Sequence, residues 1–136
     1  MRVHEVHSIL EEYKIKRYHG NDHNGHKNIG CVIFGTKIES YGYNYYNTNK
    51  FHKSIHAEHN AILKLKKSKK HKKVNVLIFR ISKSYKNIMS CLPCEECKKK
   101  LKFDIEKKGY CLNKIFCTNV NDNNELNFTI LRKTDL

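Results

Sequence analysis

Apolar residues recur along the chain at two different spacings, which predict different elements. Between residues 5 and 16 they recur at the three- and four-residue steps of an amphipathic helix. Two short apolar runs, 29–34 and 74–80, are rich in β-branched residues and predict buried strands. Residues 19–28, between the helix and the first strand, are too polar for a core and are expected to form a loop.

The rest of the pattern completes an α/β chain. The further predicted elements are strands over 38–46, 112–120 and 126–131 and two helices that include 61–65 and 94–103. Four turn residues, 121–124, are too few for a crossover helix, so the last two strands should pair antiparallel. The order α-β-β-α-β-α-β-β predicts a three-layer α/β/α sandwich around a mixed five-stranded sheet, with residues 1–136 forming a single domain.

Composition narrows the class of protein. Hydrophobic residues make up 39% of the 136 residues, which is typical of a globular chain, and no apolar run is long enough to cross a membrane. No apolar stretch follows the N-terminal residues, so no signal peptide is expected. Six cysteines then indicate a reducing, cytoplasmic location. Cys31 and Cys117 lie in apolar runs and are expected to be buried free thiols.

The net charge of +14 comes mainly from lysine, and seven lysines lie within residues 64–73, called here the basic loop. We interpret this loop as a solvated helix end. Nucleic-acid binding or a nuclear localisation signal is the alternative. Arginine, which binds phosphate with a two-pronged guanidinium, is rare, so the charge favours anionic substrates without establishing a nucleic-acid partner.

One motif carries most of the chemistry. His56-Ala57-Glu58 is followed, after 34 intervening residues, by Pro93-Cys94-Glu95-Glu96-Cys97. This is the H-x-E and P-C-x-x-C signature of zinc-dependent nucleobase deaminases. One imidazole and two thiolates supply three Zn²⁺ ligands and leave a fourth position for water, whose pKa the metal lowers. Glu58 is then the spare carboxylate that moves protons.

Geometry adds a constraint on the two helices. Positions i and i+2 of a helix point roughly 200° apart, so His56 and Glu58 can share one site only if a helix begins at about His56. Ser54 is the expected N-cap of that helix. Pro93 suits the first position of the second helix, in which Cys94 and Cys97 share one face.

The chain resembles the cytidine and deoxycytidylate deaminase superfamily over most of its length. A histidine as first ligand resembles the deoxycytidylate and tRNA-deaminase branch, whereas an antiparallel last strand resembles the nucleoside deaminases. The resemblance implies that Asn44, in Gly42-Tyr43-Asn44, contacts the sugar and that the backbone N–H of Ala57 holds the base. It also implies a homo-oligomer. Cys91 stands where the family often has serine or threonine.

The primary hypothesis is hydrolytic deamination of a cytosine nucleoside or nucleotide, with zinc as cofactor. The first alternative is an editing deaminase that acts on single-stranded cytosine or on tRNA adenosine. The absence of tryptophan for base stacking weighs against it. The second alternative is a non-catalytic zinc module that binds nucleic acid, in which Cys91 would be a fourth ligand. Such a closed site would have no use for Glu58.

Overall fold

The computed structural model describes residues 3–20, 28–47, 53–84 and 86–136. Over these residues the helices are α1 (Val3–Gly20), α2 (Ala57–Lys64) and α3 (Glu95–Lys107). The strands are β1 (Asn28–Phe34), β2 (Ile38–Tyr43), β3 (Tyr45–Asn47), β4 (Lys53–Ile55), β5 (Lys72–Ile81), β6 (Ile88–Met89), β7 (Tyr110–Val120) and β8 (Leu126–Arg132). None of the helices in these parts of the chain is long and apolar enough to cross a membrane.

The main sheet is mixed, as predicted. Its strand order is β2-β1-β5-β7-β8, and the two-residue strand β6 pairs with β5 beside this path. Strands β5 and β7 are parallel, and the other pairs are antiparallel. The prediction that the last two strands pair antiparallel is therefore confirmed. Strands β3 and β4 form a separate two-stranded ladder.

Helices cover both faces of the sheet, which confirms the three-layer arrangement. Val6, Leu10 and Tyr13 of α1 are buried in one apolar cluster with the sheet. The opposite cluster contains residues of both α2 and α3, such as Ala61 and Leu101. Each helix therefore buries one apolar stripe against alternate residues of the strands. We call the side under α2 and α3 the metal face, because those helices carry the predicted ligands.

Strand β2 ends earlier than the pattern predicted. The alternation of residues 38–46 predicted one strand, but β2 stops at Tyr43 and the chain resumes as β3. Asn44 lies between them, where its Oδ1 accepts a hydrogen bond from the backbone N–H of Ile29 at 2.9 Å. An asparagine side chain that bonds to the backbone in this way competes with the regular ladder.

Two predicted helices are longer than expected. Helix α1 covers Val3–Gly20 rather than 5–16, so it extends into the predicted polar loop, whose residues 21–27 lie outside the described ones. Helix α3 continues past residue 103 to Lys107. Leu101 and Ile105 are both fully buried, so the apolar stripe of α3 extends one turn beyond the predicted end.

The basic loop is held to the rest of the fold through its backbone. Its Ser68 N–H donates to the carbonyl of Lys108 at 2.7 Å. The Lys108 ammonium donates to the carbonyls of Ile62, at 2.5 Å, and Leu65, at 2.7 Å, which caps the end of α2. Gly109 has φ +91°, and a Cβ there would lie 1.7 Å from the Ser68 carbonyl oxygen. Only glycine fits this crossing.

Candidate metal centre

Helix α2 begins directly after the first predicted ligand. His56 occupies the N-cap position with extended backbone angles, φ −74° and ψ 150°, and Ala57 is the first helical residue. This change of conformation lets His56 and Glu58 converge, so the predicted helix start is confirmed. The prediction that Ser54 caps the helix is wrong, because Ser54 belongs to β4 and pairs with Tyr46.

Helix α3 begins at its own ligand in the same way. Cys94 is the N-cap, and its Sγ accepts a hydrogen bond from the backbone N–H of Cys97 at 3.4 Å. The prediction that Pro93 is the first helical residue is therefore wrong. The thiol of Cys94 takes the capping role that serine or aspartate usually has, which leaves Pro93 just outside the helix.

The three predicted ligands come together at the starts of these two helices. His56 Nδ1 lies 3.1 Å from Cys97 Sγ and 3.6 Å from Cys94 Sγ. The three ligand atoms all lie within 4.8 Å of one another. Bond lengths to tetrahedral zinc of about 2.0 Å for nitrogen and 2.3 Å for sulfur require nitrogen–sulfur separations of about 3.6 Å. The donor set and its spacing therefore fit Zn²⁺.

Cys91 lies outside this group of ligand atoms in the described parts of the chain. Its backbone N–H donates to the carbonyl of Thr118 at 2.9 Å, which fixes the segment before α3 to β7. A closed site with Cys91 as fourth ligand has no support in this arrangement. Three protein ligands with one position left over is the pattern of a catalytic zinc site.

The centre is open on one side and buried on the other. His56 and Cys94 are exposed, whereas Cys97 is 2% exposed. Burial, followed by the negative charge of Glu58, raises the pKa of the Cys97 thiol well above its ordinary value. A thiolate in this position requires a cation beside it, and the positive ends of the two helices add to the same effect. The chemistry of the site thus favours a divalent metal.

Glu58 is buried beside the ligands, with 4% of its surface exposed. Its carboxylate interacts with the thiol of Cys97. It also contributes to raised pKa values of the Cys31 and Cys117 thiols, behind burial as the main cause. Both of those cysteines are fully buried and free, as predicted. Glu58 therefore lies over the middle of the sheet, with the ligands on one side and two inert thiols beneath it.

Of the two predicted substrate-contact residues, Ala57 directly follows the ligand His56, and Asn44 follows Tyr43, whose carbonyl accepts a hydrogen bond from Asn60 of α2. Ala57 is fully buried, and its N–H is the first of the helix, where no partner within the helix exists. Asn44 is 8% exposed at the end of β2, with its Oδ1 bonded to Ile29. Their roles toward a base and a sugar stay predictions.

Three residues fix the position of α2, and the sequence pattern had marked only one of them, Gly42, as part of a motif. A Cβ on Gly42 would lie 2.5 Å from the backbone nitrogen of Ala61, so strand and helix are in backbone contact here. Ser40 Oγ donates to the carbonyl of Ala61 at 2.6 Å, and Asn60 Nδ2 donates to the carbonyl of Tyr43 at 3.0 Å. The sequence signal for this contact was Ser40 and Gly42, a polar and a small residue at alternate positions of β2.

Fold and ligands together define an α/β protein with a zinc centre formed by two helix N-termini. Residues 6–111 match the family described as the cytidine and deoxycytidylate deaminase zinc-binding region, and the chain belongs to that family. No curated protein matches the chain.

A solved structure shares this fold. The cytidine deaminase from Burkholderia pseudomallei has a TM-score of 0.59 at 16% identity, over 95% of this chain and 93% of that one. The dCMP deaminase from cyanophage S-TIM5 in its apo form has a TM-score of 0.46 at 17% identity, over 77% of this chain and 95% of that one. The complex of that enzyme with dCMP and dUMP has a TM-score of 0.46 at 16% identity, over 78% and 96%.

Proposed function

We propose that the protein catalyses hydrolytic deamination of a cytosine nucleoside or nucleotide, giving the uracil product and ammonia. The observation that carries this proposal is the buried Glu58 carboxylate beside three metal ligands. A purely structural zinc site has no use for a carboxylate in that position, and burying a carboxylate costs desolvation free energy that such a site would have no reason to bear.

His56, Cys94 and Cys97 hold the zinc, which when bound lowers the pKa of a water toward neutrality. Glu58 takes a proton from the water that attacks C4 of the base and delivers it to N3. It then helps to protonate the amino group at C4 as the C4–N bond breaks and ammonia leaves. A single carboxylate serves for each transfer because it neither binds the metal nor is exposed to bulk water.

The remaining site residues orient the substrate. The N–H of Ala57 at the start of α2 holds the base, and Asn44 contacts the sugar. The hydrogen bond from Ile29 to Asn44 Oδ1 supports this role, because it fixes the amide in one orientation before substrate binds. A homo-oligomer in the cytoplasm remains the expected setting.

An editing enzyme that acts on nucleic acid is the competing function, and the basic loop is the feature that favours it. The loop connects the end of α2 to the start of β5, whereas the ligands lie at the beginnings of α2 and α3. Eight residues of helix separate the two, which corresponds to about 12 Å. Charges that far apart are largely screened at physiological salt, so this placement supports a small substrate.

The test is an ammonia-release assay on zinc-loaded protein with cytidine, deoxycytidine, CMP, dCMP and short single-stranded DNA. The parent protein should deaminate at least one of the mononucleosides or mononucleotides. Glu58→Gln should keep its zinc and its fold and lose about 10²- to 10⁴-fold in rate. Glu96→Gln, in the exposed first turn of α3, removes an equal charge near the start of the other ligand-bearing helix and should stay active. Full activity of Glu58→Gln would refute the proposed role.

A further inference from the structure

A cavity lies at the edge of the sheet where β5, β6 and β7 end. Its volume is about 740 Å³, which lies in the range of small-molecule sites. None of the three metal ligands lines it. Its polar lining comes from two cations, two serines and three asparagines, namely Arg80, Lys86, Ser82, Ser90, Asn87, Asn121 and Asn124.

Arg80 lines this cavity from the metal face of β5. Alternate residues of a strand point the same way, and Ile78 of β5 belongs to the core under α2 and α3. Ile78 pairs with Cys31 on one side and with Cys117 on the other, the two buried thiols beneath Glu58. Arg80 is the next position on the same face, about 7 Å further along the strand.

One N–H of the Arg80 guanidinium has no acceptor among the described residues. It is the N–H of Nε, which is fully buried. A buried N–H of a charged group without a partner is costly, so such a group normally meets an acceptor. Arg80 could have been recognised from the sequence, because it is a charged residue at a position where the alternation of β5 predicts an apolar one.

The charge of the cavity selects the kind of acceptor. Arg80 and Lys86 both line it, and none of the described lining residues is acidic. Serine and asparagine side chains make up most of the remaining polar wall. Two cations with hydroxyl and amide groups form a suitable environment for a phosphate monoester, which guanidinium binds with paired hydrogen bonds.

We infer that Arg80 anchors the phosphate of the substrate in this cavity, and that the substrate is a cytosine nucleoside monophosphate rather than the free nucleoside. The inference rests on the proposed deaminase function. It assigns Arg80 as the specificity-determining residue, because the base reaches Glu58 on the same face while the phosphate lies at the end of the sheet.

The experiment compares KM and kcat for CMP and cytidine, and for dCMP and deoxycytidine, in the parent, Arg80→Gln and Lys70→Gln. Lys70 is exposed in the basic loop, so its variant loses the same charge far from the cavity. Arg80→Gln should raise KM for the nucleotides by about 10- to 100-fold and leave turnover of the nucleosides unchanged. Nucleoside turnover also shows that the variant is folded.

Calorimetric titration of the zinc-loaded proteins with UMP and uridine gives a readout that does not need turnover. UMP should bind more tightly than uridine to the parent and to Lys70→Gln, and this difference should vanish in Arg80→Gln. Equal KM values for nucleosides and nucleotides in the parent, with equal binding of UMP and uridine, would overturn the inference while the deaminase stands. No ammonia from any substrate, with Arg80-dependent UMP binding intact, would overturn the deaminase and leave the phosphate anchor standing.

Discussion

Replacing Gly42 with alanine should displace α2 and lower the catalytic rate more than it lowers the stability of the fold. The added methyl would lie 2.5 Å from the backbone nitrogen of Ala61 and 2.9 Å from the carbonyl carbon of Asn60. Carbon atoms pack at about 3.5 Å or more, so the helix must retreat by about 1 Å. The obstructing atoms are helix backbone and cannot rotate away, so the displacement reaches the start of α2.

Two effects of different size should follow. Overpacking of this kind costs about 1–3 kcal/mol in the free energy of unfolding. The catalytic rate should suffer more, because a displacement of about 1 Å in a catalytic group can cost about 10²-fold. His56 and Glu58 both move with the first turn of α2, so zinc affinity should fall with the rate.

Gly30→Ala is the matched control. A Cβ at Gly30 would lie 2.2 Å from the ring of Phe79, which belongs to the cluster under α1 on the opposite face. This variant should lose stability but keep its zinc content and its kcat. The measurements are thermal unfolding, zinc per chain and kcat for the best substrate. If Gly42→Ala lost stability and kept full kcat and zinc, the contact between β2 and α2 would not determine the geometry of the site.

Three further predictions concern the metal, the buried thiols and the basic loop. His56→Ala should reduce the zinc content well below the one ion per chain expected for the parent, as measured by metal analysis after dialysis. Burial, then the nearby Cys91 and Glu58, raises the pKa of Cys117 from 9.0 to about 12. The unfolded chain therefore loses this proton first, so stability should fall between about pH 9 and pH 12, and chemical denaturation should show a weaker fall in Cys117→Val. Neutralising the exposed lysines of the basic loop should leave turnover of mononucleotides nearly unchanged. A strong, salt-sensitive affinity for single-stranded nucleic acid that this change abolishes would instead favour the editing function.

The five long strands and the ligand set could be predicted from the sequence because both depend on local patterns. Val76 and Ile78 show their burial through alternation, and the spacing of Cys94 and Cys97 places both thiols on one face without knowledge of the fold. The cofactor was predictable for the same reason. The capping residues could not be predicted. Ser54 pairs with β3 in a short ladder that has no signal in the local sequence.

Features that depend on contacts between distant segments were also missed. The cap on α2 comes from Lys108, 46 residues beyond Ile62, and no propensity reveals such a partner. Gly42 was recognised only as part of a short motif, although its main role in the fold is to admit a helix against a strand. The short strand β6 depends on pairing with Arg80 and Ile81, so its two residues carry too little pattern to be predicted alone.

The backbone crossing between Ser68 and Gly109 determines how the basic loop can change over evolution. The loop's lysine side chains at residues 66, 67, 69 and 70 are exposed, so substitutions there meet few steric obstacles. The length of the loop is constrained. The Ser68 N–H must reach the Lys108 carbonyl while the Lys108 ammonium keeps its hydrogen bond to the carbonyl of Leu65 at the end of α2. Homologous sequences should therefore vary freely in the side chains of this segment but rarely in its number of residues. For the same reason, an epitope or linker inserted into this segment should break the contact between Ser68 and Lys108.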